Sequence, residues 1–184
     1  SLDSMLGEGH SLLFFTAVLA VAHFPAFFQQ HNLPAVIFNS ADFRPSLNKI
    51  ISEKYKVDNA VIVIRNNQVY LNNAEIERKG VNISQIKNEV IKFLKQQSLI
   101  VNAFSTDDIE SQSIPSPIKQ RLINGYNPKR SGEIGYFEKP GFIEDGPRGT
   151  THGSWNPYDS HIPLLWLGFN IKANVVIFKL LATV

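Results

Sequence analysis

The chain has 184 residues, a formal net charge of +2 and no cysteine, with 43% hydrophobic and 18% charged residues. This length fits one domain, or one domain and part of a second, and the hydrophobic content excludes an intrinsically disordered chain. The near-neutral charge gives no support to bulk attraction to nucleic acid. Without cysteine there can be no disulfide and no thiolate nucleophile, so any metal would have to be held by histidine and carboxylates.

An apolar stretch over residues 11–28 could be read as a membrane or secretory segment. A secretory signal normally has Lys or Arg before its apolar run, but only an acidic residue and a histidine precede this one. A membrane span needs about 20 uninterrupted apolar residues, and His23 and Pro25 interrupt this stretch. We therefore expect a buried strand over residues 12–17 and no membrane segment.

Three segments are predicted to be helical. The first has apolar residues at helical spacing, with Pro45 where a first turn tolerates proline: Leu47, Ile50, Ile51 and Tyr55. The second has Ser84 as its expected N-cap and a longer apolar stripe: Ile83, Ile86, Val90, Phe93 and Leu94. A short helix is expected over residues 118–123, after two prolines.

The predicted strands alternate with these helices. Residues 60–64 and 68–71 flank Asn66-Asn67, which favours a hairpin with a tight turn. Further strands are expected over residues 99–104 and 133–138, and a last buried strand over residues 162–167. The elements between residues 43 and 138 predict a compact α+β subdomain. We expect its core to contain Ile50, Ile51, Val61, Val63, Ile86, Val90, Phe93 and Val101.

The chemically capable side chains cluster in a loop over residues 149–161. His152 could be a metal ligand, since its glycine neighbour would let the backbone approach an ion. A histidine in such a loop more often forms a hydrogen bond with the backbone, so the spacing alone leaves both roles open for His152. Asp159 and His161, just before a proline, could simply fix the turn into the last strand. The aromatic residues of this loop are expected to pack against neighbours: Trp155 and Tyr158.

Three ordered blocks of sequence resemble the alkaline phosphatase superfamily. The best match is to periplasmic single-chain alkaline phosphatases, which are related to nucleotide pyrophosphatases and phosphodiesterases. The blocks are Phe15-Thr16-Ala17 with Val21-Ala22-His23-Phe24-Pro25, residues 124–134 (NGYNPKRSGEI), and Gly149-Thr150-Thr151-His152-Gly153 with residues 155–165 (WNPYDSHIPLL). The resemblance runs from about residue 12 to residue 172 and covers only the last third of the family's chain.

The resemblance implies an α/β fold in which a C-terminal fragment of the family's large parallel core sheet carries an inserted α+β subdomain. It suggests a division of the chain into three parts. Residues 1–42 would hold a core-sheet strand and the following segment, residues 43–138 the subdomain, and residues 139–184 the metal loop and the return to the core sheet. The opening order Ser1-Leu2-Asp3-Ser4-Met5 likewise suggests a truncated protein.

The resemblance also implies chemistry. The family hydrolyses phosphate esters with two zinc ions and a Thr or Ser nucleophile, and His152 matches its late histidine ligand to zinc. The nucleophile, its neighbouring Asp ligand, the earlier Asp and His ligands and the Lys and Arg phosphate contacts would lie upstream of this chain. The family's Thr-Ala-Asp-His-Gly strand end reads Thr16-Ala17-Val18-Leu19-Ala20 here, so two metal ligands are replaced by side chains with no donor atom. His23 is interpreted as structural.

We therefore expect the C-terminal portion of a zinc-dependent phosphatase, inactive alone and without tightly bound zinc, from a periplasmic or secreted enzyme. One alternative is a non-catalytic binding or interaction module that has lost the metal site, for which Lys129-Arg130 could contact phosphate if they are more than a solvated pair. Another alternative, within the family, is a phosphodiesterase or nucleotide pyrophosphatase. A phosphate ester is the expected substrate of the intact enzyme, and no nucleic acid or membrane partner is expected.

Overall fold

The computed structural model describes residues 12–16, 25–33, 36–144, 155–156 and 162–168. The chain divides into two compact units, one formed by residues 1–22 and 152–184 and the other by residues 23–151. The strands are β1 (Leu12–Thr16), β2 (Val36–Phe38), β3 (Val61–Arg65), β4 (Gln68–Leu71), β5 (Ile100–Ser105), β6 (Ile134–Glu138), β7 (Phe142–Glu144) and β8 (Leu164–Gly168). The helices are α1 (Pro25–Gln30), α2 (Phe43–Tyr55), α3 (Asn73–Arg78), α4 (Ile83–Gln96) and α5 (Ser116–Gly125). None of these described helices is long and apolar enough to cross a membrane.

The larger unit is built on a four-stranded antiparallel sheet with the order β3-β4-β6-β5. The predicted hairpin is confirmed: β3 and β4 are joined by Asn66 and Asn67, whose φ angles are 51° and 58°. Two consecutive residues with positive φ match the right-handed twist of the flanking strands, and asparagine tolerates this conformation better than most residues. The turn therefore fixes the register of the hairpin.

Helices α2 and α4 cover one face of this sheet and form the main core with it. Four predicted core residues are buried there: Ile51, Val61, Ile86 and Val90. Two others, Ile50 and Phe93, are half-buried. The interior also contains residues that were not on the predicted core list: Leu47, Val57, Ala60, Ile64, Val69, Leu71, Ile76, Leu94, Ile134 and Tyr136.

The core assignment of Val63 and Val101 is wrong. Val63 is exposed, and Val101 is 60% exposed. The pairing of β3 with β4 is irregular between Val61 and Val63, and that of β5 with β6 between Ile100 and Asn102. An extra residue at such a bulge shifts the alternation of faces by one. A regular strand would place each valine in the core, but the bulge turns its side chain away from the core.

The N-cap prediction for α4 is displaced by two residues. The helix begins after Asn82, whose side-chain oxygen accepts a hydrogen bond from the Ser84 backbone N–H at 2.8 Å. The same arrangement begins α3, where the Asn72 side chain accepts from the Glu75 N–H at 3.2 Å. An asparagine is therefore the N-cap residue of both α3 and α4.

The opposite face of the sheet holds a second, smaller core of Phe104, Ile109 and Ile114, against which α5 packs through Ile118 and Leu122. Phe104 and Phe137 approach with ring centroids 5.1 Å apart. The sheet of the larger unit is therefore covered on both faces, one by a helix pair and the other by a single short helix with its preceding loop. Elsewhere in this unit, β2 and β7 pair in parallel, a pairing that the sequence patterns did not predict.

In the smaller unit, β1 pairs with β8 in an antiparallel two-stranded sheet, from Leu12 opposite Gly168 to Thr16 opposite Leu164. Both predicted strands exist, close to their predicted bounds. Their predicted burial is wrong, since Phe14, Phe15, Leu165, Trp166 and Leu167 are exposed. A strand buries its side chains only where another layer packs on its face. The described sheets have two, two and four strands, which confirms a mixed α/β fold of small sheets.

Candidate metal centre

The proposed ligand His152 lies outside the described residues. Its suggested supplements, Asp159 and His161, also lie outside them, as do His23 and the Val18-Leu19 pair that replaces the family's acidic and histidine ligands. Of the candidate loop, the structure describes Trp155 and Asn156, and Trp155 is half-buried. The assignment of His152 as a ligand therefore stays a prediction.

The strand pairing bears on where a site could form. β1 ends at Thr16, and Thr16 is opposite Leu164, the residue at which β8 begins. The segment that follows β1 and the loop that precedes β8 are therefore connected to the same end of the sheet. These are the two segments in which the family resemblance places metal ligands, so the topology is compatible with a shared site at this end of the β1–β8 sheet.

Within the described ranges, no group of three or more histidine, aspartate or glutamate side chains is placed to hold a metal ion. Several described carboxylates instead accept hydrogen bonds from cationic side chains. Lys54 Nζ donates to Glu89 Oε2 at 2.5 Å, which lowers the pKa of Glu89, with a weaker hydrogen bond from the Tyr55 hydroxyl at 3.4 Å. This pair ties α2 to α4.

A second ion pair ties α4 to the turn after β5. Lys87 Nζ donates to Asp107 Oδ2 at 2.7 Å and Ser105 Oγ donates to Asp107 Oδ1, and these two hydrogen bonds lower the pKa of Asp107. A third lies within α3, where Arg78 donates to both carboxylate oxygens of Glu75 and lowers its pKa. All three pairs are local structural contacts at the surface, where such pairs contribute modestly to stability.

The second family-like block, residues 124–134, forms a turn with its own hydrogen bonds. The Asn127 side-chain oxygen accepts from the Lys129 N–H at 3.0 Å, and the Ser131 hydroxyl accepts from the Asn127 N–H at 3.0 Å. Lys129 and Arg130 are exposed at this turn. This exposure agrees with the interpretation of Lys129 and Arg130 as a solvated pair. The hydrogen bonds of Asn127 and Ser131 stabilise the turn.

The same block ends in a hydrogen-bonded junction that sequence reasoning missed, which connects the segment before β6 with β4, the start of α3 and the residue after β5. Glu133 accepts from the Leu71 backbone N–H at 2.8 Å and from the Asn73 side chain at 2.7 Å, which joins it to the start of α3. The preceding Gly132 donates its N–H to Gln68 at 2.7 Å, and its carbonyl accepts from the Thr106 hydroxyl at 2.6 Å. The family-like residues here organise the fold of the larger unit. A signal for α3 was present in the sequence, since Asn72 and Glu75 have N-cap spacing.

No protein-family model matches the chain. Curated proteins do: it is 38% identical to alkaline phosphatase PafA of Elizabethkingia meningoseptica over 94% of this chain and 32% of that protein. It is 36% identical to a protein named calcium-transporting ATPase of Myroides odoratus, over 93% of this chain and 32% of that protein. It is 33% identical to alkaline phosphatase PhoV of Synechococcus elongatus, over 93% of this chain and 30% of that protein.

Solved structures give the same result. The chain superposes on the crystal structure of wild-type alkaline phosphatase PafA with a TM-score of 0.85 and 38% identity, over 94% of this chain and 33% of that chain. A PafA variant with four substitutions gives a TM-score of 0.83 over 93% of this chain and 32% of that chain. The chain thus spans about a third of the length of the proteins it matches. In sequence and in fold, it corresponds to part of an alkaline phosphatase-like protein, as its three sequence blocks predicted, and this fits the C-terminal portion.

Proposed function

We propose that this chain is the C-terminal portion of a zinc-dependent phosphate-ester hydrolase of the alkaline phosphatase type. The observation that carries the proposal is the likeness to PafA, which extends over 94% of this chain at 38% identity with a TM-score of 0.85. Two further relatives match over nearly the same share of the chain, and one of them is named an alkaline phosphatase. The sequence of the last block, residues 149–165, resembles the monoesterases of the family more closely and therefore favours a monoesterase over a phosphodiesterase. The intact enzyme is proposed to be periplasmic or secreted.

This chain is proposed to contribute one ligand to a zinc site whose other ligands come from the rest of the enzyme. In such an enzyme, zinc stabilises the charge that develops on the entering and leaving oxygens of the phosphate ester. His152 is the residue proposed to hold it. A catalytic zinc needs three protein ligands and an open position, whereas the segment after β1 offers Val18 and Leu19, which have no donor atom. No catalytic step is therefore assigned to this chain alone.

The proposal includes inactivity of the isolated chain. The matched region is about a third of each relative. The family resemblance places the nucleophile and the earlier ligands outside it, and Val18-Leu19 replaces two further ligands within it. Positioning and charge stabilisation provide most of the acceleration in metal-dependent phosphoryl transfer, so one ligand without its partners gives none of it.

A second candidate is a non-catalytic binding module, and the replacement of an Asp-His pair by Val18-Leu19 is the observation that favours it. In that case the larger unit, with its complete core, would be the part retained for interaction. The two candidates differ in what happens when the rest of an alkaline phosphatase-like chain is supplied. The first gains zinc-dependent activity through His152, and the second does not.

The experiment is an assay of aryl phosphate hydrolysis by the purified chain, with and without added zinc. We expect no turnover above background. The controls are His152→Ala and His31→Ala, because His31 is an exposed histidine in the other unit whose ring contacts Phe27 of α1. Zinc-dependent turnover that is lost in His152→Ala and kept in His31→Ala would refute the inactivity of the chain and place a working centre within it.

A further inference from the structure

β3 lies at one edge of the described four-stranded sheet. An edge strand presents backbone N–H and C=O groups with which another chain can pair. Residues 60–64 read Ala-Val-Ile-Val-Ile, an uncharged and mostly β-branched run, and Ile62 and Val63 are 50% and 40% exposed. Runs of this kind favour strand pairing between molecules when they are accessible. An unprotected β3 would therefore be prone to pair with another molecule.

Two side chains of α2 bind the backbone groups with which Val61 faces away from the sheet. The Asn72 N–H donates to the Ala60 carbonyl at 2.8 Å. Residues of an antiparallel pair alternate between bonding to the partner strand and facing away from it, so the next residue, Val61, directs its N–H and C=O away from β4. The Asn48 side chain accepts from the Val61 N–H at 2.8 Å and donates to its C=O at 3.1 Å, and Arg44 Nε donates to the same C=O at 3.1 Å. The Asn48 amide thus makes the two hydrogen bonds that a residue of a neighbouring strand would make.

The opposite edge of the sheet has a similar arrangement. β5 lies at that edge, and the side-chain oxygen of Asn102 accepts a hydrogen bond from the Ala103 N–H at 2.9 Å. Both edge strands are also irregular in their pairing, at residues 61–63 and 100–102. Bulges at an edge make further strand pairing unfavourable. On each edge strand, therefore, an asparagine side chain occupies a backbone N–H close to a bulge.

We propose that Asn48, together with Arg44, blocks the β3 edge against pairing with a second copy of this chain. The identity of the partner is argued from the charges at the two ends of the apolar run. Asp58 lies in the turn before β3, Arg65 ends the strand, and both are exposed. In an antiparallel pair of two β3 strands, the Arg65 end of one copy lies beside the Asp58 end of the other, so the edge is complementary to itself. This inference does not depend on the proposed function.

The test is the oligomeric state of the full chain after the block is removed. Asn48→Ala frees one donor and one acceptor of Val61 in each copy, so we expect self-association at a concentration at least about tenfold lower than for the wild type. Sedimentation velocity measures this difference. The Val61 amide, followed by hydrogen exchange, should lose protection in the monomeric variant and regain it in the associated state. Association through any other surface is common to the wild type and the variant, so the difference between them reports on β3.

Three further variants separate edge pairing from lost stability. Asn82→Ala is the matched control, because Asn82 also binds a backbone N–H, that of Ser84 at 2.8 Å, but at the start of α4. It should associate like the wild type. Ile62→Lys, added to Asn48→Ala, places a charge at an exposed position of β3 and should restore the behaviour of the wild type. Val101→Lys, added in the same way at an exposed position of β5, should not.

A second variant keeps the inference testable if Asn48→Ala fails to fold, as judged by far-UV circular dichroism. Arg44→Ala removes one donor to Val61 at an exposed position outside the core, and it should shift self-association in the same direction by less.

Several results would overturn the inference. One is self-association of the folded Asn48→Ala or Arg44→Ala chain that is no stronger than that of the wild type. Equal association of Asn82→Ala would attribute the effect to lost stability, and association that persists with Ile62→Lys would place it on another surface. Restoration by Val101→Lys as well as by Ile62→Lys would mean that β3 pairs with β5 of the next copy, which forms open filaments instead of a closed pair.

Discussion

At the scale of single residues, Gly135 shows how one position can depend on the absence of a side chain. A Cβ atom added to Gly135 would lie 2.7 Å from the Phe104 ring, and one added to Gly125, at the end of α5, would have no atom within 4 Å. Phe104 is buried in the second core, so its ring has little room to move away. The close packing of β5 on β6 therefore requires glycine at position 135.

We expect Gly135→Ala to lower the free energy of unfolding by about 1–3 kcal/mol, because the added methyl overpacks the Phe104 ring. Gly125→Ala is the matched substitution in open space and in helical backbone, and it should raise stability by about 0.4–1 kcal/mol. Urea denaturation measures both. Combining Gly135→Ala with Phe104→Leu should recover part of the loss, and a double variant that is as unstable as the sum of its single variants would contradict the ring contact.

The Lys54–Glu89 pair makes a pH-dependent contribution. The pKa of Glu89 in the folded protein is lowered from its ordinary value of 4.5 by the hydrogen bond from Lys54. A lowered folded-state pKa means that the stabilisation is fully present above 4.5 and is lost as the pH falls through the folded-state value. The difference in free energy of unfolding between the wild type and Glu89→Gln should therefore be larger at pH 7 than at pH 3.

Urea denaturation at a series of pH values checks this expectation. Glu53→Gln is the control, because Glu53 is an exposed glutamate of α2 that lies one residue before Lys54. Its difference from the wild type should change less with pH. A Glu89→Gln difference that stays constant from pH 7 to pH 3 would show that the pair contributes no stability through its charge.

At the scale of elements, local signals predicted the helices and the hairpin but not the faces of the edge strands. The stripe of α4 and the Asn66-Asn67 turn are encoded in neighbouring residues, so they could be read directly. The bulge in β3 forms in its pairing with β4, and the bulge in β5 forms in its pairing with β6. The partner of β5 lies far from it in the sequence. The sequence of a β-branched run contains no mark of the inserted residue, which is why Val63 and Val101 were assigned to the core.

The bulge gives a matched prediction for two isoleucines. Ile134 in β6 is fully buried, whereas Ile62 lies at the bulge of β3 and is 50% exposed. Ile134→Ala should cost about 2–5 kcal/mol through lost burial and the cavity left behind. Ile62→Ala should stay within about 0.5 kcal/mol of the wild type. Equal losses at the two positions, measured by urea denaturation, would contradict the exposure of Ile62 and mean that its side chain is buried.

At the scale of the whole molecule, the three sequence blocks identified the alkaline phosphatase-like portion correctly, and a mixed α/β fold was predicted with it. Among the residues that the structure describes, the smaller unit contains the strands β1 and β8, which pair antiparallel, so the large parallel sheet that the resemblance implies is not seen there. For the candidate site, sequence reasoning provides one proposed ligand, His152, and the replacement at Val18-Leu19. A metal site depends on several ligands from separate segments, so one segment cannot define its geometry.

The central claim is that this chain holds a share of a zinc site that it cannot complete alone. Calorimetric titration with zinc at neutral pH, on the chain and on His152→Ala, tests it most directly. Since most of the affinity of a protein site comes from several preorganised ligands, we expect only weak, non-stoichiometric binding that chelator reverses without unfolding. Binding of one zinc per chain below micromolar concentration, abolished by His152→Ala, would contradict the account and mean that the loop of His152, Asp159 and His161 forms a site of its own.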